Sequence, residues 1–354
     1  MIPTILENIQ SNDVLRMYNS LLALRKVAKR YEYKKKEERK PLNDLVQASF
    51  PCLQQLLGAV LSYSTIEAAQ VLKMCLKIFY SCTNFSLPEV EGIDVCFWFD
   101  KIAQILGKAL PEASEGLEPA DQPLTKEERT AWPWWKLKKW ATRIISHFIQ
   151  RYGNPRYASK EYRDFANYFR SNTAVTLLAP VMNILANRAK GSFVTDDVHR
   201  MCLGYVNSCV EMSPTYKVLK PHLQFILMSI VFPTLCLSDE DLRLFEHDPV
   251  EFIRKVHDPL GDWLSPLIAA TSLLQTLARY RQKDTLPVLL PFIQKVLMEY
   301  IHTPPENRNY RDKDGALVAV AVIAKVTTPR VCCVCVCVMY LSIVDAPPTP
   351  SIVR

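Results

Sequence analysis

WPWWKLKKWATRIISHFIQRYGNP, Trp132 to Pro155, is the stretch from which the fold is read. Apolar side chains at Trp134, Leu137, Ala141, Ile144, Ile145, Phe148 and Tyr152 recur every three or four residues. That spacing lines one face of a helix about five turns long. Gly153 and Pro155, just past the last periodic position, read as its stop. Lys136, Lys138, Lys139 and Arg143 fall mainly away from the apolar stripe. With no cofactor motif nearby, Trp134, Trp135 and Trp140 are assigned to core packing rather than to a ligand platform.

The rest of the composition agrees with a helical chain. A length of 354 residues suits two or three ordinary domains or one repeat array. Only nine are glycine, too few for the hairpins and phosphate loops of sheet-containing enzymes, so the class is all-α. A net charge of +7 is moderate and largely local, which argues against direct nucleic-acid binding. Cys52, Cys75, Cys82, Cys96, Cys202, Cys209 and Cys236 are scattered singly on apolar helix faces, as reduced thiols are. The amino terminus lacks the pattern of a signal peptide, and the apolar run Val331 to Val344 is shorter than the roughly 20 residues of a membrane span. The expectation is a soluble protein of a reducing compartment with no membrane insertion.

Outward from the tryptophan helix, the pattern predicts helices over 12–31 (capped by Ser11 or Asn12), 41–62 (bent at Pro51), 65–87 and 92–109. Others follow over 159–170, 173–190 (bent at Pro180 and closed by Gly191), 195–212 and 214–231. Ser238 and Asp248 cap two short helices. Ser265-Pro266 opens a long one, Leu286 to His302 forms another, and a last begins near Arg311. Helix pairs at a ragged period near 40 residues are the sequence form of a HEAT or armadillo solenoid, an α-solenoid of antiparallel helix pairs, expected over 1–325. The tail 326–354 has no helical period and is expected to be disordered.

Two charged stretches interrupt the array. From Arg25 to Lys40 there are nine basic and three acidic residues. This is either a solvated helix end with cations at its C-terminus or a partner-binding patch, whose candidates are Lys34, Lys35 and Lys36. From 110 to 130 the chain is acidic and proline-rich and is expected to be a mobile loop, open to trypsin at Lys126 and Arg129. Its Glu112, Glu115, Glu118 and Asp121 are candidates for contacting basic partners.

The search for chemistry is empty. No GxGxxG, Walker, GxSxG or HExxH pattern occurs, and the six histidines share no metal-ligand spacing. His147 is read as a surface residue. Cys332, Cys333, Cys335 and Cys337 alternate without a turn to converge their sulfurs, so zinc is not expected. No cofactor, metal or catalytic residue is assigned.

Five blocks together resemble a family: 21–42 (LLALRKVAKRYEYKKKEERKPL), 134–155, 231–255 (VFPTLCLSDEDLRLFEHDPVEFIRK), 265–287 (SPLIAATSLLQTLARYRQKDTLP) and 311–317 (RDKDGAL). In order and spacing they resemble the importin-beta superfamily of nuclear transport receptors, or karyopherins, in the importin seven and eight branch. The resemblance implies a HEAT-repeat superhelix that shuttles between cytoplasm and nucleus. It also implies binding to cargo proteins, to phenylalanine-glycine nucleoporins and to the GTPase Ran in its GTP form, with no reaction of its own. The chain resembles a middle fragment. The repeats carrying the main Ran contact would precede Met1, so Ran-GTP binding here is expected to be weak or absent. Apolar faces around Val14, Leu21 and Leu24, and around Leu317 and Val320, are expected to lie open. A cytosolic α-solenoid scaffold or adaptor unrelated to nuclear transport is the alternative reading.

Overall fold

The computed structural model describes residues 2–11, 13–88, 94–110, 125–257 and 265–326. All regular structure among them is helical: α1 (Ile2–Ile9), α2 (Val14–Tyr31), α3 (Lys40–Val60), α4 (Ile66–Thr83), α5 (Val95–Gly107), α6 (Lys126–Ala131), α7 (Pro133–Arg151), α8 (Arg163–Ser171) and α9 (Thr173–Ala189). Then come α10 (Asp196–Glu211), α11 (Ser213–Leu219), α12 (Leu223–Phe225), α13 (Phe232–Leu235), α14 (Asp239–His247), α15 (Pro249–His257), α16 (Pro266–Tyr280), α17 (Gln282–His302) and α18 (Tyr310–Ala324). The chain divides into two compact units, residues 1–181 and 182–354, and the division falls within α9.

In the first unit α1 packs on α2, α3 on α4 and α5 on α7. These pairs stack in two layers, with α3 touching α1 and α5 in one, and α4 touching α2 and α7 in the other. The tryptophan helix closes an aromatic core. Phe148 stacks on Phe79 at 5.7 Å, Phe79 on Trp98 at 4.6 Å, and Phe99 meets Phe148 and Phe169 edge-on at 4.9 and 5.2 Å. Such pairs add about 0.5–1.5 kcal/mol each to the area they bury. Gly153 ends α7 as expected, but for a reason the sequence does not show. A Cβ there would lie 2.8 Å from both the Ile149 Cα and the Phe169 ring, so glycine is needed for close approach. Gly191, at φ 89°, is the one described residue in the left-handed region, and it closes α9.

Several boundaries differ from those read in the sequence. Helix α1 was not anticipated. It packs on α2 and α3, so Leu21 and Leu24 are fully buried rather than open, and Val320 is buried too, while Val14 stays half-exposed. The cap of α2 is Asp13, whose carboxylate accepts from Leu15 N and Arg16 N, rather than Ser11 or Asn12. Within 110–130, residues 111–124 lie outside the described structure. The remainder is α6, which Thr125 and Glu128 start with a reciprocal capping box. The tail from 327 onward is likewise outside it.

In the second unit α16 packs against α10, α17 and α18. The run from Ser213 to Leu235 extends past the single helix expected over 214–231. Pro221 tightens it into a 3-10 turn, and the missing donor at Pro233 follows a π-helical turn, Ile226–Val231. The longer run Ser213–His247 is, by length and composition only, apolar enough to cross a membrane, with a mean hydropathy of 1.5 over its best window. Its buried residues, among them Leu223, Leu227, Ile230 and Leu235, pack on α16, α17 and α18. Short α14 and α15 pack on each other, begun by Ser238 and Asp248 as expected.

His199, on α10, is 4% exposed, and burial lowers its pKa to about 4. Between that value and the ordinary 6.5 the unfolded chain binds the extra proton, so stability present above pH 6.5 is lost as pH falls toward 4. Full loss corresponds to about 3 kcal/mol. Urea unfolding of the protein and of His199→Gln at pH 7 and pH 5 checks this. The substitution is expected to flatten the acid side of the profile, and an unchanged slope contradicts the assignment.

Candidate interaction surface

A helix leaves its last four carbonyls without internal partners. In the first unit, side chains from other helices meet them. The end of α4 is held by four. Arg39 Nη2 donates to Cys82 O at 3.0 Å, Tyr152 Oη to Thr83 O at 2.9 Å and Arg151 Nη2 to Phe85 O at 2.6 Å, while His147 Nε2 lies 2.9 Å from Asn84 O. On the other side Asn84 Nδ2 donates to Glu32 Oε1 at 2.7 Å. His147 is therefore not the surface residue expected. It is half-buried between the Tyr80 and Tyr152 rings, and burial, with Arg151 and Arg143 adding to it, lowers its pKa despite the bond to Asn84 O. Burial likewise lowers Arg39, whose exposure is only 2%.

The same device links the neighbouring helices. Lys138 was placed off the apolar stripe, yet it is buried and donates to Leu106 O and Lys108 O, both at 2.8 Å, at the end of α5. Lys108 in turn donates to Leu61 O and Tyr63 O, at 2.7 and 2.8 Å, beyond the end of α3. In the second unit Arg281 Nε donates to Val210 O at 3.0 Å at the end of α10, while its guanidinium lies 4.1 Å from the Tyr216 ring centroid.

With the helix ends fixed, α2, α4 and α7 present one lateral face. Lys77 Nζ and Arg143 Cζ lie 5.2 and 5.1 Å from the centroid of Trp140, and Arg143 also lies 5.4 Å from that of Tyr80. Tyr80 and Trp140 meet edge-on at 5.6 Å. Trp134 and Trp135 are core residues as expected, whereas Trp140 is half-buried and holds cations. Of the anticipated partner-binding residues, Lys34 pairs with Glu38 at 3.6 Å on the surface, and Lys35 is exposed beside it. The Lys36 side chain and Glu112, Glu115, Glu118 and Asp121 lie outside the described structure. The face on α4 and α7 was missed. Its signal was two lysines four residues apart, Lys73 and Lys77, in a helix otherwise almost wholly apolar.

Nothing in this arrangement activates a nucleophile. Burial pushes the Cys75 and Cys82 thiols up to about 12, away from the reactive thiolate. Among the described residues no three His, Cys, Asp or Glu side chains converge as a metal site. The geometry is one of surfaces. Residues 37–345 match the Cse1 family.

The chain belongs to the Cse1 family, within the importin-beta superfamily. It is similar to human Importin-8, 34% identical over 320 residues, and to the Importin beta-like SAD2 homolog of Arabidopsis thaliana, 32% identical over 321 residues. Each match covers 90% of this chain and 30% of the relative, so the chain spans under a third of those proteins' length. Among solved structures it resembles the exportin Cse1 in its cargo-free, cytoplasmic state, with a TM-score of 0.66 at 15% identity over 92% of this chain and 34% of that one. That likeness shows the fold: a HEAT-type α-solenoid of antiparallel helix pairs, as the helix periodicity implied.

Replacing Lys138 by Met keeps its aliphatic stem and removes the donor from two carbonyls. The expected loss is about 1–3 kcal/mol, read from the urea midpoint. Lys136→Met, at an exposed position of the same helix, serves as the control. Equal midpoints for the two variants would remove the helix-end role of Lys138.

Proposed function

We propose that the chain is part of a nuclear transport receptor, a binding protein without a reaction of its own. It carries cargo proteins between cytoplasm and nucleus and touches phenylalanine-glycine nucleoporins. Membership of the Cse1 family, with similarity to proteins named importins along 90% of the chain, is the observation that carries this reading. The receptor of which this chain is part works with the GTPase Ran in its GTP form. Lys34 and Lys35 sit on an exposed turn after α2, open to a partner, and Lys36 lies beside them in sequence. The acidic residues Glu112, Glu115, Glu118 and Asp121 would meet basic cargo.

Labelled chain added to permeabilised cells is expected to collect at the nuclear rim and to be displaced by an excess of a phenylalanine-glycine nucleoporin fragment. A diffuse signal that the fragment leaves unchanged, from protein shown to be helical by circular dichroism, favours the cytosolic scaffold instead.

A further inference from the structure

Past its first turn, where Glu67 is exposed, helix α4 shows solvent a narrow strip whose charged and aromatic members are Lys73, Lys77 and Tyr80, four and three residues apart, while most of the helix is buried. Beside it α7 presents Lys136, Trp140 and Arg143 at the same spacing, and α2 contributes Arg25. Five cations thus share one face, and among the described residues none of them makes an ion pair. Arg25 Nε is buried without a hydrogen-bond partner. Burial, then Arg25, Lys73 and Lys136, lowers Lys77 to about 8, and burial, then Lys136, lowers Lys73. The one carboxylate buried near this end of α4, Glu32, is held by Asn84. Unopposed like charge, part-buried at Arg25, Lys73 and Lys77, is a standing electrostatic cost, and an anion laid across the face removes it.

We propose that the face formed by α2, α4 and α7 is a docking surface for an acidic polypeptide segment, gripped by Arg25, Lys73, Lys77, Lys136 and Arg143. Three adjacent helices span roughly 20 Å, the reach of about six extended residues, so a short run of glutamates or aspartates crosses it. A polypeptide fits better than a nucleic acid. The Trp140 and Tyr80 rings, which could stack on bases, are already engaged by Lys77 and Arg143. The cation–ring contacts also hold the two cations in place before a ligand arrives, which lowers the ordering cost of binding. This inference deepens the transport reading and rests on it, naming acidic stretches as a class of partner for this face.

The test measures fluorescence anisotropy of a labelled 12-residue polyglutamate peptide with the full chain, at low salt and at about 0.15 M salt. The proposal expects binding that weakens with salt. It also expects a loss of about tenfold or more in K73Q/K77Q, and little change in the control K190Q/K217Q, two exposed lysines of the second unit. Circular dichroism and the melting temperature of K73Q/K77Q are read alongside, so loss of fold is told apart from loss of binding. Absence of peptide binding at low salt overturns the proposal, as does equal binding by K73Q/K77Q and the unmodified chain. Tighter binding of a single-stranded oligonucleotide of equal charge, also lost in K73Q/K77Q, assigns the face to nucleic acid instead. Nuclear-rim accumulation is read separately, so failure of the peptide to bind leaves the transport reading standing, and failure at the rim leaves this surface to be judged on its own binding.

Discussion

Carbonyl groups left over at helix ends, and the cations that reach them from neighbouring helices, are the constraint on which the first unit depends. A helix commonly closes its own C-terminus with a glycine in the left-handed conformation. Among the described residues only Gly191 does so. The chain has 43 lysines and arginines against nine glycines, and it uses side chains from elsewhere. Lys108 serves the end of α3, Lys138 the end of α5, and Arg39, Arg151 and Tyr152 the end of α4. Each lysine or arginine closure places a positive group at the negative pole of a helix, and hydrogen bonds of this charged kind are worth about 1.5–3 kcal/mol, while Tyr152 donates as a neutral phenol. Each also ties one helix to another, so that α3, α4, α5 and α7 are completed only in one another's presence. That is how a stack of helix pairs gains the cooperativity a single central core would otherwise supply.

Much of this fold was legible in the sequence. Periodicity found the long helices because a buried stripe has to repeat at helical spacing. Cap chemistry placed the starts at Thr65, Thr195, Ser238, Asp248 and Ser265 within a residue. Helix α1 escaped because eight residues carry too few turns for a period to show, and its stability comes from packing on α2 and α3. Lys138 and His147 were misplaced for a related reason. Residue type predicts solvent for both, yet what settles each position is an acceptor contributed by a helix remote in sequence: Leu106 O and Lys108 O for Lys138, Asn84 O for His147. Gly153 shows the same limit, since Phe169, which forbids a Cβ there, lies sixteen residues further on.

The candidate surface was less legible than the fold. The charged turn at Lys34 to Lys36 stands out in the sequence because its charges are contiguous, but at Lys34 the structure answers them locally with Glu38. On the α2, α4 and α7 face the charges are dispersed, four residues apart on α4 and seven apart on α7, and those two helices lie about fifty residues apart in the chain. Only stacking of the pairs assembles them. A solenoid built this way presents many such lateral faces, each made from neighbouring repeats, and sequence alone reads them one helix at a time.

Lys138 and Lys77 show why the two groups of cations differ in what they can do. Both are lysines on deeply packed helices, and both reach toward an adjacent helix. Lys138 finds two carbonyl oxygens at 2.8 Å, so its charge is answered inside the fold and adds nothing to recognition. Lys77 finds an indole ring at 5.2 Å and other cations, which orient its ammonium but accept no hydrogen bond in the plane of a carbonyl or carboxylate. An apolar partner laid over it would bury the charge further and raise the cost. A partner that brings carboxylates supplies the acceptors that the helix ends supply to Lys138. The same chemistry that closes the fold internally is therefore left incomplete on this one face, in the form that an acidic chain completes.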